Sequence, residues 1–250
     1  MITNHELGYF PVTLSVSART KVQLAGFDDL PKITRCRFPQ GARHGEGGNV
    51  IRLYDFDLSG SCYKVRLLLN ILGVDYTRQE IDFVDKEHKT DGFMALNPFG
   101  EIPVFEDDGL RLRDAQAILI YVAGKYDPAR IWWPTDPAAQ GQIAQWLSTA
   151  GNEIMASAGA RLVKILNYDL DLPHLQNRAQ AVFSILNAHL ADRSWLALEH
   201  PTIGDIACFP YTAMAGEGGI ALDPYPHIRR WLVSMRRLPG FIPMPGIPGA

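Results

Sequence analysis

Hydrophobic and polar positions fall into clear periods from Val50 onward and are largely aperiodic before it. "VIRLYDF" alternates apolar and polar residues and is rich in β-formers, which predicts a first strand. Val65, Leu68, Leu69 and Leu72 then recur at three- and four-residue spacing, which predicts a helix from Cys62 to Leu72, stopped by Gly73. "VDYTRQEIDF" reads as a second strand, and Phe93–Leu96 as a short helical piece. "NPFGEIPVFEDDGLRL" has the form strand, Asp-Asp-Gly turn, strand, a β-hairpin. Asp114 opens the helix "AQAILIYVAGKY", which closes at Tyr126–Pro128. The order βαβ then ββα makes residues 50–128 a small mixed α/β domain.

Beyond it, "YDPARIWWPTDP" carries the prolines and turn residues of an interdomain linker, placed at 129–136. Residues 137–250 are helical in period throughout: one long helix from Ala138 to Leu166, a second from His174 to Leu190, a third starting at Thr202 and a fourth from Ile228 to Arg237. An all-helical domain packed on the α/β domain is the economical architecture. Residues 1–49 hold one short strand signal, "SVSARTKVQL", and a Gly-rich polar link, "RFPQGARHGEGGN". They read as a loosely ordered extension, or as an upstream start whose natural first residue is Val50.

Composition narrows the classes. With 250 residues, 47% of them hydrophobic, the chain can bury one large core or two modest ones. A formal net charge of −3 argues against a general nucleic-acid or anionic-membrane footprint. No apolar run reaches transmembrane length, and "MITNHELGYFPV" lacks the basic and apolar regions of a secretory signal, so a cytoplasmic setting is expected. Cys36, Cys62 and Cys208 show no metal-like pairing, and no HExxH or CxxC occurs, so no metal is expected.

Three features carry candidate chemistry. The turn "LSGSC" stands at a helix N-terminus after the first strand, where N–H groups and the helix dipole favour negative charge. A hydroxyl there, on Ser59 or Ser61, either caps the helix or donates to a thiolate. Pro103 opens a hairpin strand; a trans turn proline is the base-rate reading, and a cis bond would free the Ile102 backbone to pair with an extended peptide. Asp114 either caps its helix or faces an ammonium group.

The order and spacing of these signals resemble the glutathione transferase family from Val50 nearly to the end. The resemblance is carried by "LSGSCYKVRLLLNILGVDY", "EHK…FMALNPFGEIPVF", "LRDAQAILIYVA" and "PTIGDIACFPY". It implies a thioredoxin-like N-terminal domain that binds glutathione as co-substrate, and an all-helical C-terminal domain that shapes the electrophile pocket. It further implies a homodimer and a detoxifying role, without metal, nucleotide, nucleic acid or membrane. Aligned on "KVR", Ser59 matches the catalytic serine of the zeta- and theta-like groups, leaving Ser61 as cap and Cys62 as reserve. By the same resemblance Ile102, before a cis Pro103, pairs with the cysteinyl part of glutathione, and Asp114 stands at the γ-glutamyl end. His88 and Lys89 match residues near the glycyl carboxylate in the phi-like group.

Two positions depart from the family pattern. The usual acidic-Ser pair is Asp114-Ala115, and the usual Gln is Glu101, an acceptor-only side chain. Weaker glutathione binding than in a typical member is therefore expected. Thr202 and Asp205 have capping-box spacing and a structural role, and Cys208 on that helix is expected to be buried and inert. Three functions compete. The first is conjugation of the glutathione thiolate to small apolar electrophiles. The second is glutathione-dependent thiol reduction through Cys62, since Ser59-Gly-Ser-Cys62 is spaced like a redox CxxC. The third is a non-catalytic interaction protein of the same fold.

Overall fold

The structure, a computed structural model, describes residues 51–249. The expected N-terminal extension, its strand and the proposed start at Val50 lie outside the described residues. The first strand β1 (Arg52–Asp55) is followed by α1 (Gly60–Ile71), β2 (Thr77–Glu80), a short α2 (Asp91–Met94), β3 (Val104–Asp107), β4 (Leu110–Arg113) and α3 (Ala115–Tyr126). The strands form one sheet in the order β2-β1-β3-β4. β1 pairs parallel with β2 and antiparallel with β3, and β3 pairs antiparallel with β4.

Local chemistry fixes these elements. α1 ends in a left-handed Gly73 with φ +66°, where the Gly73 N–H donates to the Asn70 carbonyl and the Val74 N–H to that of Leu69. That pair of bonds is a Schellman stop, which glycine permits without steric cost. At the hairpin, Asp108 and Gly109 both take positive φ, 51° and 75°, matching the twist of the flanking strands.

The remainder is helical: α4 (Pro137–Gly151), α5 (Met155–Leu166), α6 (Leu172–His189), α7 (Ile203–Ala213) and α8 (Pro226–Arg236). This is the thioredoxin-like sheet and helical remainder expected from the sequence. The single long helix expected over 138–166 is instead two, interrupted at 152–154. Apolar periodicity runs through the break in Ile143, Leu147, Ala150 and Ile154, which is why it reads as continuous. What stops α4 is local: the Asn152 side-chain amide donates to the Ser148 carbonyl and to its hydroxyl, and the Ile154 N–H skips back to the Thr149 carbonyl.

One hydrophobic cluster runs from Tyr63, Phe105 and Ile118 to Phe183, Phe209 and Trp231. α7 lies at its centre with every residue from Ile203 to Thr212 buried. Its N-terminus is a capping box, with Thr202 and Asp205 bonding each other's backbone. The Asp205 carboxylate also accepts from the Leu196 N–H and the Trp231 Nε1–H, both at 3.0 Å. Burial nonetheless raises its pKa from the ordinary value, against the pull of those donors. Cys208 is fully buried with its thiol pKa pushed up by burial, as an inert structural cysteine should be. Trp132 is buried in the same cluster, and its carbonyl accepts the Ile203 N–H.

Candidate active site

Sheet register gathers the sequence-predicted pieces at one edge. Tyr54 of β1 lies opposite Val104 of β3, and Val104 lies opposite Arg113 of β4. The carboxyl end of β1, the segment entering β3 and the start of α3 therefore meet. They carry Ser59, Ile102–Pro103 and Asp114–Ala115.

A buried ionic network fixes the end of β1. Asp55 is fully buried, with Arg66 Nη1 at 2.6 and 2.8 Å from its two oxygens and Arg78 Nε at 2.5 Å. The two guanidiniums continue to Asp57, whose carbonyl and carboxylate they bond. Carboxylate and guanidinium forks thus hold residues 55–57 from both sides.

Ser59 is the N-cap of α1, its Oγ accepting the Cys62 N–H at 3.2 Å. The capping and catalytic readings of this serine are compatible, because the cap uses a lone pair and leaves the hydroxyl proton to donate. Ser61 is not the cap. Its N–H donates to the Tyr211 hydroxyl at 3.1 Å, and its own hydroxyl lies 3.2 Å from the same oxygen. The Tyr211 ring closes over the turn so tightly that a Cβ on Gly60 would stand 2.6 Å from Tyr211 Cε1. Tyr211 was not singled out from the sequence. The available signal was a tyrosine on an apolar, buried helix, whose hydroxyl needs a partner.

Cys62 is fully buried. Burial pushes its thiol well up, the Asp55 charge adds to that, and the Ser59 hydroxyl and Arg66 oppose it. As placed, the sulfur is neither exposed nor a thiolate at neutral pH, which removes the basis of the reserve role.

Ile102–Pro103 is cis. The loop before it is braced from within: Asn97 Nδ2 donates to the Glu101 carbonyl at 2.7 Å, and Lys89 Nζ to the Gly100 carbonyl at 2.7 Å. Gly100 takes φ +58°, and a Cβ there would lie 2.8 Å from the His88 carbonyl oxygen. No hydrogen bond of the Ile102 backbone occurs among the described residues. The Glu101 side chain is exposed.

Asp114 caps α3, accepting the Gln116 and Ala117 N–H groups at 3.0 Å through one carboxylate oxygen. The second oxygen of this exposed residue is not part of the cap. Ala115 is buried behind it. His88 is buried, stacked on Phe83 at 4.1 Å, with Nδ1 unpartnered. Burial first, then the charges of Lys89 and Lys86, lower its pKa, so it is a neutral ring at pH 7. Lys89 is exposed and spends its ammonium on the Phe99 and Gly100 carbonyls.

A pocket opens between this edge and the helices. Phe56, Leu58, Ser59 and Phe83 line one side, and Met155, Leu162 and Ile165 of α5 stand among those opposite. Tyr211 and Arg161 complete it, and Arg161 is the one charged side chain among the described lining residues. Arg161 Nη1 donates to the Leu58 carbonyl at 2.9 Å, while Nε pairs with the Glu217 carboxylate. The result is a mostly apolar pocket with Ser59 in its lining, suited to bringing a soft nucleophile to an apolar electrophile. Among the described residues, no cluster of three or more His, Cys, Asp or Glu could hold a metal. No helix among them is long and apolar enough to cross a membrane.

Comparison with known proteins adds the following. The family model described as "Glutathione S-transferase, N-terminal domain" matches residues 49–124, and "Glutathione S-transferase, C-terminal domain" matches residues 171–239. Glutathione S-transferase 3 of Zea mays is 27% identical over 219 residues, covering 80% of this chain and 98% of its own. A maleylacetoacetate isomerase of Pseudomonas aeruginosa is 27% identical over 191 residues, covering 72% of this chain and 88% of its own. The crystal structure of a glutathione S-transferase from Pseudomonas fluorescens superposes with a TM-score of 0.73 at 31% identity, covering 78% of this chain and 98% of that one.

Proposed function

The chain belongs to the glutathione S-transferase family, and on that premise we propose that it conjugates the thiolate of glutathione to small apolar electrophiles. The observation that carries this reading is Ser59: a helix cap with its proton to spare, in the lining of an apolar pocket. The hydroxyl donates to the glutathione sulfur and the start of α1 adds its field, so the thiol ionises near neutral pH and its proton leaves to solvent. The Gly60 N–H, for which no partner occurs among the described residues, is a backbone donor beside Ser59 available to the same sulfur. The sulfur then attacks the electrophilic carbon, the C–S bond forms and the leaving group departs with its electron pair.

Around that sulfur, the Ile102 N–H and C=O pair with the cysteinyl backbone beside cis Pro103. The free oxygen of Asp114 meets the γ-glutamyl ammonium, and the N–H of Ala115 meets its carboxylate. Glu101 flanks the peptide without donating to it. At the glycyl end Lys89 keeps one N–H beyond its two loop bonds, and His88 contributes a neutral imidazole. The proposal extends to a cytoplasmic homodimer with a detoxifying role, organised as a glutathione domain at 50–128, a linker at 129–136 and a helical domain at 137–250. The reductase reading has less support, because its sulfur is buried.

The test measures glutathione binding by calorimetry, conjugation of chlorodinitrobenzene, and reduction of a glutathione mixed disulfide. Ser59→Ala should lose roughly 100- to 1,000-fold in conjugation, the cost of removing one preorganised donor to a developing anion. Cys62→Ala should retain conjugation. Loss of reduction confined to Cys62→Ala would restore the reductase reading, and absence of both binding and turnover in the natural protein would leave the interaction reading.

A further inference from the structure

We infer that the C-terminal segment 240–249 positions the turn that carries Ser59: Gly246 seats the Glu217 carboxylate, Glu217 aims Arg161, and Arg161 fixes the Leu58–Ser59 peptide that presents the hydroxyl. The inference rests on the glutathione-transfer reading, since Ser59 is the residue positioned.

The tail is tied down along α1 and in the core. Gly240, at φ +80°, crosses the end of α1, where a Cβ would stand 2.8 Å from Ile71 Cα. Its carbonyl accepts from Asn70 Nδ2 at 2.7 Å. Phe241 meets Phe209 edge to face, with ring centroids 5.9 Å apart. The Ile242 carbonyl accepts the Tyr63 hydroxyl at 2.6 Å, about one helical turn from Ser59. The tip is the closed turn Met244-Pro245-Gly246-Ile247, in which Met244 and Ile247 exchange backbone hydrogen bonds of 2.8 and 3.1 Å. Proline at its second position and a glycine with φ +85° at its third are what a type II turn favours. Met244 and Ile247 are both buried in the main cluster, so the tip has one seat.

That seat faces Glu217, in the turn after α7. A Cβ on Gly246 would run into the carboxylate, 2.9 Å from its Cδ, so the position needs glycine for room as well as for backbone. Glu217 pairs with Arg161 Nε, and Arg161 Nη1 donates to the Leu58 carbonyl at 2.9 Å. The same peptide unit is held at its other end, where the Ser59 N–H donates to the Phe56 carbonyl at 2.9 Å. With both ends of that plane fixed, the Ser59 side chain keeps only its own rotamer, and the cap bond from the Cys62 N–H settles that. Loosening the Arg161 end tilts the plane and swings Oγ off its line to the sulfur. A misplacement of about 1 Å is enough to cost ~100-fold in rate. Gly246 and Glu217 act through Arg161 and are positioning residues.

The natural protein, Gly246→Ala, Ile247→Ala and Asn70→Ala are compared, each also in a Ser59→Ala background. The readouts are ultraviolet absorbance of bound glutathione thiolate against pH, kcat with chlorodinitrobenzene against pH, affinity for S-methylglutathione, and thermal unfolding. S-methylglutathione fills the site without a thiol to ionise, so it reports seating alone. Gly246→Ala should bind it within ~3-fold of the natural protein. Its thiolate midpoint should rise, and its kcat should fall roughly 10- to 100-fold at about pH 7. The loss should shrink above about pH 8.5, where a thiol ionises unaided. Ile247→Ala loosens the tip without adding an atom; it should move both readouts the same way, less far, and it decides the matter if Gly246→Ala does not fold. Asn70→Ala unties only the far end of the tail and should lower the melting temperature with the midpoint unmoved. In the Ser59→Ala background, Gly246→Ala should shift nothing further. The inference falls if Gly246→Ala and Ile247→Ala leave the midpoint in place, if Asn70→Ala moves it equally, or if the shift survives without Ser59. A natural protein that binds no glutathione, or binds it without forming thiolate, would overturn the transfer reading itself and the inference with it.

Discussion

The two walls of the candidate site are built by different physics. The sheet-side wall, which shares Ser59 with the pocket, is mostly backbone: the turn at 59–61, the loop at 97–101 and the helix start at 114–115, held by carbonyls, N–H groups and glycines that admit no Cβ. The helical wall is mostly side chain: Met155, Leu162 and Ile165 on one face of α5, with Arg161 among them. A backbone wall is set by register and survives side-chain change, so it can keep a common ligand across divergent sequences. A side-chain wall changes with every substitution, so it is where electrophile choice is written. If glutathione binds as proposed, the departures at Glu101 and Ala115 would trim the affinity of the first wall without dismantling it.

The sharpest way to break the contrast is to attack what anchors the backbone wall. Asp55 is buried between Arg66 and Arg78 at the end of β1, and removing its charge leaves two guanidiniums without their shared partner. Asp55→Asn should cost about 3–5 kcal/mol in urea unfolding, as breaking a buried ion pair does. A loss below ~1 kcal/mol would show that the edge is held by its hydrogen-bonded loops instead.

A second test falls on the seam between the walls. Lys64 on α1 is 1% exposed, with its ammonium 5.2 Å from the Tyr211 ring centroid. Burial lowers its pKa from 10.5 to about 8, opposed by the charge of Asp114. Between those values the unfolded chain binds more protons here than the folded one, so stability contributed by this residue rises with pH. The penalty is present in full below about pH 8 and fades towards pH 10.5. Its size is on the order of 3 kcal/mol. Lys64→Met should therefore stabilise the protein at pH 7 by about 2 kcal/mol, after loss of ~1 kcal/mol of contact with the ring. The gain should shrink towards nothing near pH 10. A gain that does not vary with pH would mean that the lysine titrates alike in the folded and unfolded chain, so that burial does not perturb it.

Gly60→Ala probes the contact of the two walls directly. The new Cβ would meet Tyr211 Cε1 at 2.6 Å and Cζ at 2.9 Å, so ring or turn must shift. Overpacking of this kind costs about 1–3 kcal/mol. Because the displaced ring also bonds Ser61, thermal stability and conjugation rate should fall together. An unchanged melting temperature would show that the turn is looser than its contacts imply.

Legibility follows the same division. The backbone wall was readable in sequence because strand alternation, Gly73, the Asp-Asp-Gly turn and the Pro103 position each have a local physical signature. The break at 152–154 was not, because Ile143 to Ile154 keeps helical spacing while Asn152 competes for the Ser148 carbonyl. Arg161, on the same stretch, carries no local signal of its role. Nothing local distinguishes it from a solvated charge, and its meaning lies in Leu58 and Glu217, 103 and 56 residues away. Ser61 was assigned the cap because either serine of the turn has cap chemistry, and the reach of Tyr211 across 150 residues decided the matter.

The smallest effect isolates the affinity of the backbone wall. Ala115 is 4% exposed at the first position of α3, where the family pattern has a serine. In Ala115→Ser the hydroxyl would enter a nearly closed site with no ligand to satisfy it, so the free protein should lose about 1 kcal/mol or less. With glutathione bound, the γ-glutamyl carboxylate accepts from that hydroxyl, and one hydrogen bond worth up to ~1.5 kcal/mol lowers the dissociation constant by up to about tenfold. Calorimetry and melting with and without glutathione therefore move in opposite directions: lower stability free, tighter binding loaded. Turnover at saturating glutathione should be unchanged, because the new bond is made equally in ground and transition states. Unchanged binding would place the γ-glutamyl carboxylate away from the start of α3, and would shift the proposed weakening of affinity onto Glu101.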